Sequence, residues 1–175
     1  MRVRHILVGL MAVAASSMAT TLEQLSVADM IQKSTAIVRA KVTGSTAANR
    51  NGTIYTYYHL QVLENLKAST SSSVDVAVPG GTLGNVTQSA AGAPELRPGT
   101  EYVLFLWTSK SGLTQILGLT QGAFDSQTTA DGKTVLTRPG ISERMLDAQG
   151  RVVVDSGMSL DLNDLRGRIR QGGAR

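Results

Sequence analysis

"IYTYYHLQVLENLK", Ile54 to Lys67, decides how this chain folds. Its residues alternate for nine positions. Ile54, Thr56, Tyr58, Leu60 and Val62 fall on one face, and Tyr55, Tyr57, His59 and Gln61 on the other. A period of two is the signature of a β-strand with one buried and one solvated face. The alternation breaks at Leu63 and Leu66, which predicts a bulge or bend near Glu64. A long strand that bends is what a small barrel needs to turn a corner.

The neighbouring segments extend the pattern. "TAIVRAKV" before it is a near-continuous apolar run and reads as a well-buried strand from Ile37 to Val42. "TAANRNGT" between the two reads as a turn, with Asn51-Gly52 its sharpest signal. After Lys67, "ASTSSS" is a flexible turn, and "VDVAVPGG" is a strand with Val74, Val76 and Val78 inward and Asp75 and Ala77 outward. Gly80 to Pro98 reads as a long loop, mobile or used for contact. "EYVLFLWTS" is the most apolar strand after the N-terminal segment. Lys110-Ser111-Gly112 then turns the chain into "LTQILGLTQGAF", and Asp131-Gly132 marks a hairpin into "VLTRP". "RVVVDS" is one more short strand.

Helices are expected at both ends. Leu22, Leu25, Ala28 and Ile31 have helical spacing, so a helix from Leu22 to Lys33 is predicted, capped by Thr21 with Gln24 three residues on. Leu162, Leu165 and Ile169 predict another over about 158–171, with Ser159 or Asp161 as cap and arginines where the dipole favours them. The expected fold is mainly β: an OB-like antiparallel barrel in one domain, 20–175, flanked by two helices.

The extreme N-terminus reads as a signal peptide. Arg2 and Arg4 are followed by an apolar run from Ile6 to Ala15, too short to span a bilayer, and then by Ser17-Met18-Ala19. Cleavage is expected after Ala19, giving an exported protein, periplasmic or extracellular, with no membrane span in its mature form. There are no cysteines, so disulfides and thiolate metal sites are excluded. The formal charge is +4, and +2 without Arg2 and Arg4. Four of the remaining arginines crowd into "LRGRIRQGGAR", which leaves the rest slightly acidic. That is not a nucleic-acid-binding face.

The chemistry-bearing residues are few. Tyr55, Tyr57, His59 and Gln61 form the candidate ligand-binding stripe, because flat rings with polar tips suit a saccharide, a peptide or a base. Tyrosines also favour exposed strands for no functional reason. His59 is the one imidazole beyond the N-terminal segment, so a His-based metal site fails on counting. A hydrolase would need Ser and Asp partners for His59 from elsewhere, and no Gly-x-Ser-x-Gly elbow is present. Glu143, Asp147, Asp155, Asp161 and Asp164 fall in no calcium-loop or glycosidase spacing. "PGGTLGN", Pro79 to Asn85, lacks the lysine of a phosphate loop. No catalytic residue, cofactor or metal is assigned.

Three stretches carry a family resemblance. Ala36-Ile37-Val38-Arg39-Ala40-Lys41-Val42, the run Val62 to Lys67, and Gly99 with Tyr102-Val103-Leu104 resemble, in order and spacing, the netrin module and the tissue inhibitors of metalloproteinases. They resemble more closely still a group of uncharacterised exported bacterial proteins with "VPGG" after the third strand. Together the stretches cover roughly half the mature chain. The resemblance implies an OB-fold barrel, whose outer strand-two and strand-three surface is the usual ligand face. The metalloproteinase inhibitors chelate zinc through an N-terminal cysteine, which this chain lacks, so that mechanism does not carry over. The expected function is a non-enzymatic exported module binding an envelope or extracellular protein or a saccharide. The competing readings are a hydrolase centred on His59 and a cysteine-free module that inserts a rigid loop into a protease cleft.

Overall fold

The computed structural model describes residues 21–172; the signal-peptide reading and Arg175 lie outside them. Of the two strands read around Asn51-Gly52, the second runs as expected and the first is much longer. β2 (Ala36–Arg50) and β3 (Thr53–Lys67) form one long antiparallel hairpin. The turn is only Asn51-Gly52, both at positive φ (53° and 84°). "TAANR", expected as turn, is strand instead. A two-residue turn of this hand matches strand twist, so pairing continues to its edge.

A short strand, β1 (Leu22–Glu23), precedes β2, as does helix α1 (Val27–Lys33). The helix is shorter than its apolar spacing predicted. The backbone of Leu22 and Gln24 is taken by Arg144 and Leu146 carbonyls, in a parallel pairing with β11 (Met145–Leu146). Leu25 N–H donates to the buried Gln121 side chain at 2.8 Å, and Gln121 donates back to the Glu23 carbonyl at 2.9 Å. Ser26, not Thr21, is the cap, in a reciprocal box with Asp29. Asp29 is held below the usual carboxylate range, first by the Ser26 hydroxyl.

β4 (Ser73–Pro79) pairs with β3. The stretch expected as one long loop contains a hairpin, β5 (Gly81–Leu83) with β6 (Val86–Gln88). It is tied to the tip of the β2–β3 arm: Gly80 N–H donates to the Ile54 carbonyl at 2.8 Å, and Ile54 N–H to the Gln88 side chain at 2.6 Å. β7 (Glu101–Thr108) follows, then β8 (Thr114–Ile116), a 3-10 turn at Leu119–Gly122, β9 (Ala123–Thr128) and β10 (Thr134–Arg138). β12 (Val152–Val153), β13 (Met158–Asp161) and helix α2 (Leu162–Gly172) end the described chain. α2 starts later than expected because Met158 to Asp161 pair with β10. The Asp161 carboxylate accepts from Asn163 N–H at 2.6 Å, as a capping residue does.

The main sheet runs β13-β10-β9-β7-β2-β3-β4, with β8 also on β7. It is mainly antiparallel β and curls into a half-barrel. β8 comes round to lie beside β4. Inside are Val38, Ala40, Val42, Tyr58, Leu60, Val76, Val78, Tyr102, Leu104 and Leu106. Tyr58 is inward, as the alternation predicted, and burial pushes its phenol up. A second core lies on the outer face, where Met30 and Ile31 of α1 and Leu162, Leu165 and Ile169 of α2 cover Ile37, Val103, Phe105, Phe124 and Leu136. β2 and β7 are therefore buried on both faces here, which is why "AIV" and "YVLFL" read as unbroken apolar runs. The bend expected near Glu64 is present, with register shifts between Ile37 and Val38 and between Arg39 and Ala40, leaving Leu66 and Leu63 as extra residues on β3.

Candidate functional site

The two helices cover one end of the convex face and leave the other bare. Going outward along β3 from α2, the first feature is an ion cluster. Glu64 receives Arg166 through two hydrogen bonds (2.9 and 2.7 Å), and Arg39 lies between Glu64 and Glu101 at 3.6 and 3.4 Å. The Arg166 guanidinium holds the Glu64 carboxyl below its ordinary value. This cluster fastens α2 to the sheet and accounts for the first of the C-terminal arginines.

Beyond it lies the predicted stripe. Gln61 is exposed, and His59, Tyr57 and Tyr55 are half-buried. The structure brings all four onto the outer face of β3, as the alternation implied. The Tyr55 and Tyr57 rings are 6.3 Å apart, tilted at 53°. Their cross-strand partners are small. On β2, Ala48 faces Tyr55, Thr46 faces Tyr57 and Gly44 faces His59; on β4 the partners are Pro79, Ala77 and Asp75. Directly opposed residues share a face, so the stripe is a ridge between two rows of short side chains. On the β4 side Ala77 is only 1% exposed. On the β2 side Ala48 and Thr46 stay exposed and form an open trough.

Two residues the sequence reading left out of the site join it. His59 Nδ1 is 2.7 Å from Asp75 Oδ1, and His59 Nε2 is 3.3 Å from Thr46 Oγ1. Asp75 was legible from its outward parity on β4. Thr46 was not, because its segment read as a turn. Carboxylate, imidazole and hydroxyl in line are the parts of a nucleophile-activating chain. Here they come from three adjacent strands of an open sheet surface, with the His59 and Asp75 side chains 39% and 63% exposed. The same two contacts orient the imidazole on the sheet surface.

The late carboxylates are used structurally. Asp147 closes a turn with Arg151, Glu143 accepts from Gly92 N–H at 2.7 Å, and Asp155 pairs with Arg138. Among the described residues no three His, Asp or Glu side chains gather as a metal site, and no helix is long and apolar enough to cross a membrane. A cleft of ≈ 970 Å³ lies between the helices, lined by Ile31, Leu66 and Ile169; none of the four stripe residues lines it. Lys67 at its edge is already spent: its ammonium donates to the carbonyls of Ile31 and Ser34 at 2.5 and 2.6 Å, where α1 ends.

Searches with this chain found no match among protein-family models, curated proteins or solved structures.

Proposed function

We propose that this chain is an exported, non-enzymatic binding module built on an OB-like barrel. Its ligand face is Tyr55, Tyr57, His59 and Gln61 of β3, with Asp75 of β4 and Thr46 of β2 beside them. The observation that carries the reading is the bare half of the convex face. A paired aromatic ridge stands there on β3, which is laddered to β2 on one side and β4 on the other, while the other half is covered by helices. Supporting the OB-like part are the strand path and its near-closure. Long, bulged β2 pairs with both β3 and β7, and β8 returns beside β4; on this reading β3 and β4 are the second and third strands, whose outer surface is the usual ligand face of an OB-fold. The ligand is an envelope or extracellular protein, or a saccharide, met after export.

The test is a pull-down from envelope extract together with a soluble polysaccharide panel, comparing the wild-type chain with Tyr55→Ala/Tyr57→Ala. Binding by the first and not the second is expected. Binding that survives in the variant overturns the assigned face.

A hydrolase reading gains support from the Asp75–His59–Thr46 chain of contacts. Against it stands exposure, since an open Asp–His pair is screened by water and loses the low-dielectric advantage of an enclosed site. Saturable hydrolysis of a simple aryl ester, abolished equally by His59→Gln and Thr46→Ala, would make that reading replace the binding one.

A further inference from the structure

The trough beside the tyrosine ridge is bounded by an unpaired sheet edge. β2 is paired on both sides only as far as Val42. β7 accompanies it from Ala36 to Lys41, and the last contacts on that side are Val42 N–H to the Thr100 carbonyl and Gly99 N–H to the Val42 carbonyl, at 3.0 and 2.8 Å. From Gly44 to Asn49 the ladder to β3 continues, and no backbone partner on the second side is found among the described residues. In an antiparallel pair every second residue turns its N–H and C=O to the open side. The edge is solvent-facing, with Ser45, Thr46, Ala48 and Asn49 exposed. Six residues of strand span about 20 Å. The edge carries no proline or lysine of the kind that blocks strand addition.

The side chains next to this edge are suited to one occupant. A strand added to β2 places alternate side chains on the convex face, beside Gly44, Thr46 and Ala48, with Tyr57 and Tyr55 forming the far wall of the trough. The floor is low enough to seat medium-sized side chains against the rings. Arg50 stands on this face at the turn end and makes only a long 3.5 Å contact to Ser111, while Lys41 at the other end lies opposite Glu101 of β7. A cation at the turn end and an uncharged middle complement an extended segment with one acidic flank.

We propose that the Gly44–Asn49 edge of β2 receives an extended peptide strand of a partner protein, its side chains lying in the trough against Tyr57 and Tyr55 and an acidic flank meeting Arg50. Main-chain pairing supplies affinity in this mode and the side-chain seats supply specificity. The inference rests on the binding-face reading above and names the partner class for it.

The experiment selects a displayed library of random peptides against the full chain and maps the best binder by amide hydrogen exchange. The expected result is a set of peptides with Asp or Glu at one end of an uncharged centre, a slowing of exchange confined to 44–49, and an affinity loss of about tenfold or more in both Arg50→Ala and Tyr55→Ala/Tyr57→Ala. Selected peptides that leave the 44–49 amides unchanged overturn the edge proposal; if the tyrosine variant still loses them, the face itself stands. A soluble polysaccharide bound in a tyrosine-dependent way, with no peptide selected, also overturns the edge and keeps the face. Protection of 44–49 that grows with protein concentration without peptide overturns the foreign partner in favour of a second copy. No binding to either probe overturns both readings.

Discussion

Replacing Asp155 by alanine removes the counter-charge of a buried cation. Arg138 at the end of β10 is 5% exposed, and its guanidinium meets Asp155 through Nη1 to Oδ2 and Nη2 to Oδ1, at 2.5 and 3.1 Å. The same carboxylate accepts from Ile141 N–H at 3.0 Å, and the guanidinium lies 5.9 Å from the Phe124 ring centre. The pair thus pins the segment between β10 and β13 to the outer core. Stranding a buried charge by deleting its partner costs about 3–5 kcal/mol, whereas replacing both members by apolar groups of similar volume is near neutral. With a urea slope of about 2 kcal/mol per molar, Asp155→Ala should lower the unfolding midpoint by about 2 M at pH 7. Arg138→Met/Asp155→Leu should recover most of that loss. Arg138 hydrogen bonding, the largest cause, holds the Asp155 carboxyl below its ordinary value. A carboxyl with a depressed folded value contributes stability that is complete above its unfolded value near 4 and is lost as pH falls toward the folded value. The wild type should therefore destabilise on acidification below about pH 5 more steeply than the double variant. Equilibrium urea unfolding followed by circular dichroism at several pH values reads both effects. A single-variant loss under about 1 kcal/mol would refute the argument, because that is the range of a solvated surface pair.

Other changes test the rest of the architecture. Leu60→Ala, on the inward face of β3 and 1% exposed, should cost about 2–5 kcal/mol in the same assay, and a neutral result would reverse the register of β3. Gly157→Ala should destabilise strongly: φ there is +88°, and an added Cβ would stand 2.7 Å from the Arg138 carbonyl. Lys67→Met should loosen the end of α1 by about 1–3 kcal/mol, seen as faster amide exchange from Met30 to Ser34. Tyr55→Ala/Tyr57→Ala should cost only about 1–2 kcal/mol, since both rings are half-exposed; a loss above about 4 kcal/mol would place them in a core.

Local pattern alone determined a good deal. The alternation from Ile54 to Val62 assigned Tyr58 and Leu60 inward and Tyr55, Tyr57, His59 and Gln61 outward, because a pleated strand admits no other arrangement of successive side chains. Asn51-Gly52 located the hairpin, since both residues adopt positive φ at low cost. Leu162, Leu165 and Ile169 marked the buried stripe of the last helix. The tertiary structure decided whatever depends on residues far apart in the chain. Leu22 has helical spacing with Leu25, Ala28 and Ile31, yet Leu22 and Glu23 pair with Met145 and Leu146, whose backbone offers partners that a local rule cannot see. "TAANR" is polar and loop-like in composition, but it is held as strand by β3 and so brings Thr46 to His59. Asp75 reaches the same imidazole from β4. Which edge of β2 stays open was settled only where β7 turns away at Thr100. Side-chain parity is a property of one strand, whereas partners, register and free edges belong to the sheet.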